Sequence, residues 1–183
     1  MPNWACGNIR IRGKLSNIRK LLENEIIVEG TYQNVNGGES KGYEVKPDVE
    51  VCAEDYYIEL SSPYRNGCEQ EGVEIFDETL YVNGSRRNFI EMFASSSAEF
   101  ELIESGDEFV AINEDFKVAW SVEGSLYSQL AVKYGVDIKI MVWERGLQFE
   151  QIVEAYRDGR HVETLPDSGS DWPWKAVHPE YGG

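Results

Sequence analysis

Alternation opens the chain: Ile9 and Ile11 are apolar, Arg10 and Arg12 polar, and Gly13 stops the run, which predicts a half-buried strand. Ser16 then stands as an N-cap ahead of Ile18, Leu21 and Leu22, which share one helical face, so a helix is predicted near 16–24. Residues 26–28 read as a second strand or as the tail of that helix. Residues 33–48 are rich in Asn and Gly and predict a long loop. Residues 56–60 and 73–82 read as strands, the latter ending at Asn83-Gly84, a strong turn signal. Ser85 is then taken as the cap of a helix near 85–95, with Phe89, Ile90 and Phe93 as its stripe. Phe100 and Leu102, then Phe109 and Ala111, flank Ser105-Gly106-Asp107 as a hairpin, and Phe116, Val118 and Trp120 alternate as a further strand. Ser125 opens the third helix, 125–134, which Gly135 stops; 137–143 and 149–156 follow as paired strands. The pattern predicts an α+β fold with an antiparallel sheet and helices on one face. It places a single domain over 1–165 and a separate tail over 166–183.

Charge changes the picture more than composition does. Hydrophobic residues make up 42% of the 183, enough for a core, while 33 acidic against 17 basic side chains give a net charge of −16. The excess sits in two blocks: residues 23–78 sum to −12 and residues 99–123 to −7, whereas 1–22 carry five basic side chains and no acidic one. Such a balance repels phosphate backbones, so direct nucleic-acid binding is not expected. Alternate residues on a strand face the same way about 6.7 Å apart. Glu69 with Glu71, and Glu99 with Glu101, have that spacing and are the candidate partner-binding carboxylates. In the tail, Trp172 and Trp174 either dock on the body, engage a partner, or form an exchanged arm in a homodimer.

Candidate chemistry is sparse. Cys6, Cys52 and Cys68 are odd in number and widely spaced, as expected of reduced thiols in a cytoplasmic protein. No apolar run is long enough to span a bilayer and the first residues lack a signal-peptide pattern, so no membrane association is expected. Neither His161 nor His178 lies in a nucleophile motif or at metal-ligand spacing. Asp48, Glu50 and Glu54 lack the spacing of a calcium loop. No catalytic residue, metal or cofactor is therefore assigned.

Two stretches resemble a known family. The opening Met1-Pro2-Asn3-Trp4-Ala5-Cys6-Gly7-Asn8, and the run from Phe116-Lys117-Val118-Ala119-Trp120 through Lys133-Tyr134-Gly135 to Glu144-Arg145-Gly146 and Phe149, are similar to the YubB-like proteins of phages and plasmids. Ala5 stands where that family has Cys, Val122 and Glu123 where it has two Pro, and Gly135 where it has Pro. The resemblance implies a ferredoxin-like α+β core, with residues 25–108 as a divergent acidic insertion and with Trp4 and Trp120 as core anchors. It carries no catalytic residues over. Together with the charge it implies a non-enzymatic accessory protein of a phage or mobile element that binds and occludes a basic host protein. A nuclease is the natural target, which would make the chain an anti-defence (anti-CRISPR-type) inhibitor. The alternative is a metal-dependent hydrolase using carboxylates of residues 48–59.

Overall fold

The computed structural model describes residues 4–34, 40–64, 73–92, 97–144 and 149–164, and its twelve strands join one antiparallel sheet. Strand β1 (Trp4–Gly13) is followed by helix α1 (Leu15–Glu25), then by β2 (Ile26–Asn34), β3 (Lys41–Val45), β4 (Asp48–Cys52), β5 (Tyr57–Ser61), β6 (Val73–Val82), β7 (Ser85–Ile90), β8 (Ser97–Ser105) and β9 (Glu108–Ala119). Helix α2 (Gly124–Tyr134) precedes β10 (Asp137–Glu144), β11 (Phe149–Ala155) and β12 (His161–Thr164). β1 lies between β9 and β10, and β11 and β12 extend the sheet beyond β10. On its other side β9 forks the sheet. Its first residues pair with β8 and its last with β7. One limb continues from β8 to β5 and β4; the other runs from β7 through β6 and β2 to β3.

The period-two pattern sets which side each strand buries. Ile9 and Ile11 of β1, Ile138, Ile140 and Val142 of β10, and Phe116 and Val118 of β9 meet Ile18 and Leu22 of α1 and Tyr127 and Ala131 of α2 in one core. α2 ends where Gly135 takes φ 63°, and its N–H reaches back to the carbonyls of Ala131 and Val132. No helix among the described residues is long and apolar enough to cross a membrane. Cys6 and Cys52 carry no disulfide, and Cys68 lies outside the described residues.

The expected ferredoxin-like α+β class, with helices on one face and an acidic insertion, is overturned. Among the described residues two helices of eleven residues stand against twelve strands, and the fold is mostly antiparallel sheet. The middle of the chain is not an insertion: β2 to β8 supply seven strands of the sheet. The helix expected near 85–95 is strand β7. Val82 pairs with Ser85, so Asn83-Gly84 is a two-residue hairpin turn with Gly84 at φ 91°, and Ser85 starts the return strand instead of capping a helix. Asn88 and Ile90 then point inward, while Phe89 packs edge-on against Trp4 with ring centroids 5.3 Å apart. Within 33–48, read as loop, the chain forms β3.

The tryptophan anchors are also corrected. Trp4 is 42% and Trp120 56% exposed, and the largest fully buried rings among the described residues are instead Tyr127, Phe100 and Phe116. Trp120 turns the chain out of β9 at φ 77°, a left-handed conformation that costs a bulky residue roughly 1–2 kcal/mol. Trp120→Gly is therefore expected to stay within about 1 kcal/mol of the parent, against roughly 3–5 kcal/mol for truncating a core Trp. Urea-denaturation midpoints measure the difference.

Candidate functional site

Strands β4, β5 and β8 form one limb of the fork, and each alternates apolar with acidic positions. Ile58, Leu60, Ala98, Phe100 and Leu102 are buried, and Val49 and Val51 pack against them. The opposite parity carries Asp48 and Glu50 on β4, Glu59 on β5, and Glu99 and Glu101 on β8. Pairing then aligns them: Glu50 lies directly opposite Glu59, and Glu59 directly opposite Glu99. Directly opposed residues share a face with Cβ atoms about 5 Å apart. Glu50, Glu59 and Glu99 thus form a row across three strands, and Glu101 follows about 6.7 Å further along β8. Glu50, Glu99 and Glu101 are exposed and Glu59 is half-buried.

Segments 48–61 and 97–105 together hold eight carboxylates and no lysine or arginine. Like charges set directly opposite each other destabilise a sheet by a few tenths of a kcal/mol per pair or more. Elsewhere among the described residues, basic side chains reach carboxylates. Arg12 and Arg157 both bond Asp137, Arg157 also holds Glu108, Lys133 reaches Glu25, Lys117 reaches Glu91, and Lys139 reaches Glu154. Beside the acidic row, the Tyr57 phenol is pushed up to about 12, first by hydrogen bonding with Cys52 and also by the charges of Asp55 and Glu59.

Of the carboxylates singled out in the sequence, Glu99 and Glu101 lie on this face, while Glu69, Glu71, Trp172 and Trp174 lie outside the described residues. Glu50 and Glu59, weighed in the sequence only as metal or hydrolase carboxylates, were not among the partner-binding candidates. Their signal is the alternation Asp48-Val49-Glu50-Val51 and Tyr57-Ile58-Glu59-Leu60, but their alignment with Glu99 depends on a pairing between β5 and β8 that local spacing does not encode. The pairing also joins the two acidic blocks, since Glu50 and Glu59 belong to the first and Glu99 and Glu101 to the second.

The same sheet face carries cations on its far side. Arg10 lies opposite both Ile112 and Lys139, and Ile112 lies opposite Glu101. Arg10, Arg12, Lys139, Asp137, Glu154 and Tyr156 line a shallow depression of about 300 Å³ there. Among the described residues no three His, Cys, Asp or Glu side chains are placed to hold a metal ion together. The limb and its neighbours define a β-sheet protein with an outward acidic face. No family model matches the chain, and no curated protein or solved structure matches it either.

Proposed function

We propose that the chain is a non-enzymatic binding protein whose acidic limb occupies a basic surface of another protein. The observation that carries this reading is the cross-strand row Glu50–Glu59–Glu99, in which both acidic blocks of the sequence meet on one outward face. A row of like charges costs stability, and a cationic partner relieves that cost. Carboxylates at strand spacing suit the lysines and arginines with which a nuclease or other DNA-binding protein holds phosphates, so occupying that surface would exclude its substrate. The resemblance of the chain's two ends to phage and plasmid proteins favours a host defence nuclease as the target. The hydrolase alternative finds less support, because Asp48, Glu50 and Glu59 stand on the outward side of two extended strands and, among the described residues, do not converge on a metal position with a third ligand.

Changing Glu50, Glu59, Glu99 and Glu101 together to Gln keeps shape and removes charge. The quadruple variant is expected to capture basic host proteins at least about tenfold more weakly at low salt and to lose the steep fall of capture with rising salt. Its stability should hold or rise by up to about 1 kcal/mol, since repulsion is relieved. Undiminished capture by the variant, or parent capture that survives high salt, would reduce the charge to a solubility device.

A further inference from the structure

The outward face of the β8–β9 hairpin carries an apolar strip that the acidic row does not explain. Ile103 lies directly opposite Val110, and Ile112, next along on the same side of β9, lies opposite Glu101. Ile103 is 45% exposed, and Val110 and Ile112 are half-buried. Their inward neighbours Leu102 and Ala111 belong to the core shared with both helices, so the strip faces away from α1 and α2. Among the described residues β5 pairs with β8 as far as Glu101, and the last bond on that side is the one the Leu102 N–H donates to the Tyr56 carbonyl.

We propose that this strip seats a basic amphipathic helix of the partner. The inference rests on reading the acidic limb as partner-facing. An α-helix with its side chains is about 10 Å across, and neighbouring strands are about 4.8 Å apart. A helix laid over β8 and β9 therefore rests its apolar stripe on Ile103, Val110 and Ile112. One of its flanks then hangs over β5 and β4, where Glu59 and Glu50 stand, with Glu99 next to them on β8. On the other flank Arg10 is opposite Ile112 and Arg12 opposite Val110, and Asp137 and Glu154 are already engaged by Arg12, Arg157 and Lys139, so lysines placed there gain less than over the carboxylate row. Apolar contact sets the position of the helix and the asymmetry of charge sets its roll. A partner matched only to the charge would use the row and ignore the strip.

Two labelled probes separate these cases by fluorescence anisotropy with the full chain. One is a leucine–lysine peptide of roughly 18 residues patterned as an amphipathic helix, and the other a glycine–serine peptide with the same number of lysines. At about 150 mM salt the amphipathic peptide is expected to bind at least about tenfold more tightly. Ile103→Ser should bring it to within about threefold of the polar peptide while leaving the polar peptide's affinity and the urea midpoint unchanged. Equal binding of the two peptides, or an Ile103→Ser variant that keeps the preference, overturns the strip as a docking line and leaves the acidic face standing. If neither peptide binds even at low salt, the acidic face itself is not a binding surface, and both readings fall.

Discussion

Gly7→Ala is expected to lower the urea-denaturation midpoint sharply, by the equivalent of at least about 3 kcal/mol. Gly7 sits in central strand β1, paired with Val142 of β10 on one side and Phe116 of β9 on the other. A Cβ built there would lie 1.8 Å from the Met141 carbonyl oxygen and 2.8 Å from the Val142 Cα. Both are backbone atoms of β10, so no rotamer change relieves the clash, and β1 cannot retreat because β9 holds its other edge. Overpacking relieved by side chains costs roughly 1–3 kcal/mol; a clash with a neighbouring strand's backbone should cost at least about 3 kcal/mol. That is a large share of the 5–15 kcal/mol or so that stabilises a typical domain. Gly13→Ala is the control. Its Cβ would meet the Val136 Cγ1 at 2.9 Å, a side chain that can shift, so its urea midpoint should fall far less. A Gly7→Ala midpoint equal to the parent's would mean that β1 and β10 do not pair as described.

What sequence reading reached was local. The Ile9/Ile11 alternation, the α1 stripe of Ile18, Leu21 and Leu22, and the Gly135 stop of α2 are each written within about ten residues, and each stands where expected. The fork in the sheet was out of reach. Phe116 of β9 faces Ile90 of β7, and Leu102 of β8 faces Ala111 of β9, so two partners share one edge of one strand. No short-range pattern announces such a division. Phe89 and Ile90 fit a helical stripe as readily as they fit opposite sides of a strand, and the hairpin turn at Asn83-Gly84 decided between them. Strand β3 escaped because an edge strand with mostly exposed or half-buried residues has little periodicity to show. Trp120 misled for another reason: it continues the alternation of Phe116 and Val118, but the strand ends one residue earlier, at Ala119. At the acidic face, block sums located the charge, and spacing along β8 gave Glu99 and Glu101. The register between β4, β5 and β8 was needed to add Glu50 and Glu59.

Acid is expected to weaken the fold through Asp137, and the sign follows from its surroundings. Burial alone would raise this carboxyl. The side chain and backbone N–H of Arg157 and the side chain of Arg12 outweigh burial and lower it from 3.8 to about 2. The Arg12 Nη2 stands 2.6 Å from Asp137 Oδ2, and the Arg157 backbone N–H donates to Oδ1 at 3.0 Å. Arg157 also bonds Glu108 and the Arg12 carbonyl, so this one carboxylate ties together β1, β9, β10 and the turn after β11. Only 15% of the Asp137 side chain is exposed, so solvent screens the cluster weakly. A carboxyl lowered on folding contributes stability that is complete above its unfolded value and is lost as pH falls toward its folded value. The window is therefore about pH 4 down to about pH 2, and a drop of this size corresponds to about 2 kcal/mol, with roughly half gone by pH 3. Asp137→Asn keeps the shape and removes the ionisable group. Near pH 6 the variant should be less stable than the parent by about 2 kcal/mol, and near pH 3 by roughly half that. Urea denaturation at both values measures the gap. A gap that stays constant between them would show that Asp137 acts through packing rather than charge, and that the arginines do not hold it ionised.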